Sequence, residues 1–439
     1  MVDLPLLLMV IYCSGLGSMM GVFSGLVPGI HVNTMALILM VMEPVLASTM
    51  YGFLEAGGLD QNVLPLLISV MIVSAAVVHS FLDFIPSIFL GAPDSSDALS
   101  VLPGHRMLME GRGMEAVRCS ASGSLVGTLM AILLTVPSHL VMGHPVGLYE
   151  TLSDFIPYIL LGVIVLLVSS ERHGGWRKMS WSVALVCSSG LLGYLAMNAV
   201  LPLENLGGLG QNLLFPLLTG LFGLPTLILS IRNPSIPGQG GPLVVRSPFL
   251  PSLRGVLAGA MVGWFPGITS TSGAVMGSAF SKVRGSGSAP SFITTVSAVG
   301  SSATVFSLIA LSVTGRGRTG AMLAVVDLMG DDLPLIQQFP SDHFALLLLS
   351  VLLSAAAGFY LTLRAGRLFS KAVSNHDMGR ISKLIIVFVV VLVLIFNGVQ
   401  GILLLLASTL LGLVPPKAGV GRVHLTGCLL IPVIIFFLW

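Results

Sequence analysis

The stretch that decides the fold runs from Gly17 to Thr34 and reads GSMMGVFSGLVPGIHVNT. Glycine recurs every fourth residue, at Gly17, Gly21 and Gly25. Pro28-Gly29 then interrupts the apolar run, and His31, Asn33 and Thr34 follow. The layout returns at Gly255 to Ser272, GVLAGAMVGWFPGITSTS. Gly255, Gly259, Gly263, Pro266, Gly267 and Ile268 repeat Gly17, Gly21, Gly25, Pro28, Gly29 and Ile30 without a gap. The displacement is 238 residues throughout (255 − 17 and 267 − 29). The chain reads as two halves of a duplicated protein, each opening with a broken helix.

Glycine at every fourth position leaves a flat strip along a helix, so a second backbone can approach closely in lipid. Pro-Gly removes a backbone donor and loosens the helix, freeing amides and carbonyls. At membrane depth such groups persist only where they are buried in protein or line a wet cavity. Matched interruptions in two halves are the sequence pointer to a transporter's binding site. The plainer alternative is a packing strip that ends in a proline kink. It leaves the polar cluster after each break unexplained.

The chain has 439 residues, 55% of them hydrophobic and 9% charged, with a mean hydropathy of +0.99. A soluble domain carries about 25% charge, so this is an integral membrane protein in contact with a lipid bilayer. Apolar runs near the roughly 20 residues needed to span a bilayer recur throughout. A net charge of +2 without a basic patch gives no sign of a nucleic-acid partner. Cys13, Cys119, Cys187 and Cys428 are far apart and show no metal spacing. They read as small buried hydrophobes. The apolar N-terminus has no basic region before it and reads as a membrane element rather than a signal peptide.

In order, the apolar runs are 4–27 and 30–48, 62–84, 119–137, 153–170, 179–200 and 211–231. A Gly/Pro-rich connector covers 232–252. The second half continues with 253–265 and 268–280, 290–313, 342–363, 384–398, 400–414 and 423–438. The expected fold is an all-α polytopic membrane protein of about 12–14 elements with broken helices or re-entrant hairpins. Its first membrane repeat is 1–231 and its second 253–439.

Lys and Arg sort the loops. None precedes Arg106, and none occurs in 138–152, 201–210 or 330–341. By the positive-inside rule the basic loops are cytoplasmic. The N-terminus then lies outside, each half makes an odd number of crossings, and the halves have inverted topology. Arg316 and Arg318, in TGRGRTG, fall on the wrong side. Either 290–313 is a hairpin or these arginines have another job. Gly111-Arg112-Gly113 resembles Gly315-Arg316-Gly317, which hints at a shared role for the two loops.

These motifs resemble the TctA family, the large membrane subunit of tripartite tricarboxylate transporters, and its archaeal branch in particular. The resemblance rests on GxxxGxxxGxxPGI in both halves and on LGAPDSSDALSVLPGHRMLMEGRG, Leu90 to Gly113. It covers most of the chain. It implies ion-driven secondary transport of a carboxylate in the cell membrane. It further implies a small membrane subunit and an extracytoplasmic binding protein as partners; a homodimer is a further assembly left open. The chain departs from the family's usual Pro-Gly-Ile/Leu-Gly-Pro at both breaks, where His31-Val32 and Thr269-Ser270 stand instead. It also carries Pro93-Asp94 in place of a later Pro-Gly.

The candidate substrate site comprises Pro28, Gly29, His31, Asn33 and Thr34 from the first break. Pro266, Gly267, Thr269, Ser270, Thr271 and Ser272 come from the second. Helix starts after the breaks would offer N–H groups and a positive dipole end to an anion. Ser301 and Ser302 follow the second broken pair and join this set, with interhelical packing as the alternative. Asp94, Ser95, Ser96 and Asp97 form an oxygen-rich cluster in apolar surroundings. It suits Na⁺ or a proton as coupling ion, unless the segment is an exposed loop. Asp83 reads as a helix-end charge and His139 as a structural imidazole. No catalytic motif, metal site or cofactor is expected. A polyprenyl-phosphate or other lipid-carrier transporter is the alternative function, since the same helix ends would take its phosphate.

The topology is testable. Single cysteines at positions 55, 143 and 206 are expected to react with an impermeant maleimide from outside, and those at 112, 175 and 375 from inside. Labelling of 55 and 112 from one side would refute inverted halves.

Overall fold

The computed structural model describes residues 3–27, 32–90, 101–198, 213–231, 237–239, 248–268, 270, 272–273, 288–373 and 378–438. These residues are helical, and no strand occurs among them. The first half contributes α1 (Leu4–Leu26), α2 (Val32–Val41), α3 (Glu43–Ala56), α4 (Leu64–Leu82), α5 (Phe84–Leu90), α6 (Val101–Met109), α7 (Gly113–Leu133) and α8 (Thr135–Met142). It continues with α9 (Leu148–Ser153), α10 (Ile156–Ser170), α11 (Trp176–Asn198), α12 (Leu214–Leu218) and α13 (Leu224–Ser230). The second half contributes α14 (Phe249–Trp264), α15 (Ser288–Thr314), α16 (Gly320–Met329), α17 (Leu333–Gln337), α18 (Asp342–Val373), α19 (Met378–Gly412), α20 (Val414–Ala418) and α21 (Gly427–Leu438). Among the described residues, seven helical segments are long and apolar enough to cross a membrane. The protein is an all-α, multi-pass membrane protein.

The glycine strips organise the packing. A methyl group built on Gly17 would lie 2.2 Å from the Met71 carbonyl oxygen of α4. One on Gly21 would lie 2.6 Å from that of Ala75, and one on Gly25 2.9 Å from Leu82 Cβ and 3.1 Å from the His79 oxygen. In the second half, Gly255 faces the Thr295 oxygen of α15 at 2.5 Å and Gly259 the Val299 oxygen at 2.9 Å. Gly263 faces Phe306 Cβ at 2.5 Å and the Ala303 oxygen at 2.8 Å. Nothing larger than hydrogen fits at these positions. The partners fall in one register: 295 − 71, 299 − 75, 303 − 79 and 306 − 82 all equal 224. The same displacement carries Leu64–Leu90, the span of α4 and α5, onto Ser288–Thr314, the whole of α15. The duplication therefore extends from the glycine helix to the helix it packs against.

The halves exchange their next long helices. α7 packs on α14 and α15, while α18 packs on α1 and α4. Gly123 and Gly127 bring α7 against Thr294 and Ala298. Ser301 Oγ on α15 donates to the Ser124 carbonyl of α7 at 2.9 Å. On the other side Ser18 Oγ donates to Ser354 Oγ at 3.4 Å, and Gly358 lies against Phe81. α4 is buried at every residue but Pro65, as an apolar helix at the centre of a bundle should be. A smaller apolar cluster includes Leu185 on α11, Leu217 on α12, Phe222 between α12 and α13, and Leu425 just before α21.

Four expectations change. α15 is one helix of 27 residues, about 40 Å long, so 290–313 is not a hairpin. α16 and α17 were unforeseen, because their apolar runs are too short to stand out. The runs 384–398 and 400–414 join in α19, which bends at Gly398 (φ 61°). Cys13 and Cys428 are buried, but Cys187 is exposed.

Gly15 stands on α1 with nothing within 4 Å of an added methyl. Gly15→Ala is expected to stabilise by up to about 1 kcal/mol. Gly21→Ala and Gly259→Ala, on the packed strips, are expected to cost about 1–3 kcal/mol each. Thermal melts of the three purified variants in detergent check the ordering.

Candidate functional site: the junction of the two breaks

Both glycine helices end in the same manner. α1 stops at Leu26, with Val27 extended (φ −96°, ψ 107°). α14 stops at Trp264, with Phe265 extended (φ −108°, ψ 126°). Pro28, Gly29 and His31 lie outside the described residues, as do Thr269, Thr271 and the side chain of Thr34. At the second break Gly267 has φ +80°, a conformation open to glycine and strained for other residues. A methyl there would also lie 3.3 Å from Val433 Cβ on α21. Pro266 is half-buried beside it. Ser270 faces α15 at Gly300. Ser272 is buried, and its hydroxyl donates to Thr426 Oγ1 at 3.4 Å.

The loop after α15 links the two breaks. Gly315 ends α15 at φ +65°, and its N–H is bonded to the Leu311 carbonyl at 2.8 Å. Thr319 caps α16, accepting from the Met322 N–H at 3.3 Å. From the first break, Asn33 Oδ1 accepts the Ala321 N–H at 3.1 Å. That is one of the open amides of a helix start, and the bare Cα of Gly320 makes room for the Asn33 side chain. From the second break, the Trp264 ring lies 6.0 Å from that of Tyr149 on α9. The guanidinium carbon of Arg318 sits 4.9 Å from the Tyr149 ring centroid, within the range of a cation–π contact. Arg318 Nε and Nη2 are buried and have no hydrogen-bond partner among the described residues. Burial pulls the Arg318 pKa down from its ordinary value, yet arginine stays charged in proteins.

The two Gly-Arg-Gly loops are not counterparts. Arg112 caps α7 and binds the buried Glu115 carboxylate with both Nε and Nη2, each at 2.8 Å. A third bond reaches Glu110 at 3.2 Å. Glu115 raises the Arg112 pKa. That arginine is fully engaged within its own loop. Arg316 is exposed.

Ser301 and Ser302 lie inside the helix packing. Ser301 Oγ contacts the Ser124 and Ser297 carbonyls, and Ser302 Oγ the Ala298 carbonyl at 2.5 Å. Asp94, Ser95, Ser96 and Asp97 lie outside the described residues. Asp83 is buried at the α4–α5 junction rather than exposed at a helix end. One turn earlier, buried His79 contacts Ser24 Oγ at 3.0 Å, beneath the first break. An ionisable pair at i and i+4 in apolar sequence was the available signal. His139 accepts or donates to Ser312 Oγ at 2.9 Å and stacks on Phe339 at 4.0 Å. Burial pushes its pKa down to about 4, so it is a neutral structural imidazole at pH 7. No cluster of metal ligands occurs among the described residues.

Two glycine-packed helices that stop at matched places in a bundle of membrane-spanning helices are an arrangement expected of a membrane transporter. The sequence pattern of the tripartite tricarboxylate transporter TctA family matches residues 11–427. The chain belongs to that family and is a transporter of the tricarboxylate-transporter type, a class built with partner subunits. It is 27% identical over 433 residues to the uncharacterized protein MJ1079 of Methanocaldococcus jannaschii, covering 96% of this chain and 98% of that one. No solved structure matches.

Gly267→Ala places a methyl at φ +80°, at a cost of about 1–2 kcal/mol. It is expected to lower the melting temperature and to weaken binding of citrate, used as the probe. Asn33→Ala removes the acceptor for Ala321 and is expected to cost about 1 kcal/mol. Calorimetric titration and thermal melts check both.

Proposed function

We propose that this chain performs ion-coupled uptake of a small organic anion, a carboxylate, by alternating access. The two halves are oriented oppositely in the membrane and share one site between the breaks. The observation that carries this reading is the convergence of Asn33, from the first break, and the Trp264–Tyr149–Arg318 stack, from the second, on residues 315–321. A transporter must let one site be reached from either side. Two broken helices held by one loop couple the halves at that point.

In this reading Asp94, Ser95, Ser96 and Asp97 hold the coupling ion, Na⁺ or H⁺. The residues following the breaks hold the substrate. The small membrane subunit and extracytoplasmic binding protein of the family are the proposed partners, and no enzymatic step is involved.

The test is citrate uptake by proteoliposomes under a Na⁺ gradient, a proton gradient or neither. Concentrative uptake under one gradient is expected, and Asp94→Asn is expected to abolish it while leaving the melting temperature intact. Leaflet exchange of a polyprenyl phosphate without citrate uptake would replace this reading with the lipid-carrier one.

A further inference from the structure

Arg318 is singled out by three independent observations. Its Nε and Nη2 groups are buried without a hydrogen-bond partner among the described residues. Those two N–H groups share one edge of the guanidinium, the edge that grips a carboxylate with two parallel bonds. The protein displays that grip elsewhere: Arg112 holds Glu115 through its own Nε and Nη2. Among the described residues nothing occupies the same edge of Arg318, and Tyr149 supports the guanidinium from its face.

The second observation is position. The loop bearing Arg318 is tied to both breaks, through Asn33 and through Trp264 and Tyr149. The third is topology. α15 is unbroken, so Arg318 stands at the helix end opposite Lys282 and Arg284. A basic residue on that side does not serve to anchor the cytoplasmic face.

We propose that Arg318 is the substrate-binding residue that takes a carboxylate group of the transported anion, in a two-pronged bond from Nε and Nη2. This rests on the carboxylate-transport reading above.

The experiment measures citrate affinity by calorimetric titration, together with melting temperature, for the wild type, Arg318→Met, Arg318→Lys and Arg316→Met. Arg318→Met is expected to weaken citrate binding at least about 30-fold. Arg318→Lys, which keeps the charge but loses the fork, is expected to weaken it about 10-fold. The unliganded Arg318→Met protein should melt at or above the wild-type temperature, because an unpaired buried charge has gone. Arg316→Met, at the exposed arginine of the same loop, should bind as the wild type does. Citrate binding by Arg318→Met within about 3-fold of the wild type would overturn the inference and leave the transport reading standing. Equal loss of binding in the Met and Lys variants, with equally lowered melting temperatures, would make Arg318 structural and overturn it too. A wild type that binds neither citrate nor succinate would overturn both readings.

Discussion

Close backbone contact along two glycine strips is the constraint on which the rest depends. Lipid tails are as apolar as leucine, so helices in a bilayer gain little from burying apolar side chains against one another. What they gain comes from close approach. Gly17, Gly21 and Gly25 bring α1 onto the carbonyls of α4, and Gly255, Gly259 and Gly263 bring α14 onto those of α15. Side chains elsewhere on α1, such as Leu4, Met19 and Phe23, face outward and are exposed. The glycine pairs are therefore the stiff units, and each helix is held to within one turn of its break. The break begins where the strip ends, which is why Val27 and Phe265 leave their helices in the same extended conformation.

Stiff pairs need a flexible junction if they are to move against each other, and the structure concentrates that junction in few residues. α7 and α18 cross to the opposite half, so neither half closes without the other. The connector is fastened as well: Gln239 accepts the Gly113 N–H at 2.8 Å and donates to the Leu108 carbonyl at 2.9 Å. That amide replaces two missing helix-end partners, at the start of α7 and the end of α6. Among the described residues the loop 315–319 has no such clasp on Arg318. The contrast between Arg112, with three carboxylate bonds, and Arg318, with a ring beneath it and two idle N–H groups, separates an anchoring arginine from a binding one.

The class of fold and the duplication were legible because glycine strips and Pro-Gly breaks are sequence features in themselves. The partners of the strips were not. Met71 and Thr295, Ala75 and Val299, His79 and Ala303 occupy matched places with no residue in common. The glycines contact mainly backbone carbonyls there, and a carbonyl places no demand on residue type. For the same reason the short GRG match suggested the wrong pairing of loops. α16 went unread because ten residues of apolar helix cannot span a bilayer. The site was half legible. Asn33 stood out as a polar residue after a break, but its partner, a backbone amide of α16, has no sequence mark. Arg318 showed itself only as an exception to the positive-inside rule.

What the two halves keep and what they change follow one division. They keep the backbone contacts, because any side chain on a strip glycine would force the helices apart. They change the ionisable groups. His79 on α4 and Asp83 just past its end stand where α15 has Ala303 and Ser307. At these places the first half carries an imidazole and a carboxylate, and the second a methyl and a hydroxyl. A perfectly symmetric duplication would build two equal sites, each attracting ions of one sign. The packing leaves the residues off the strips free to diverge, and unlike groups on the two halves are what the proposed coupling of a cation to an anion requires.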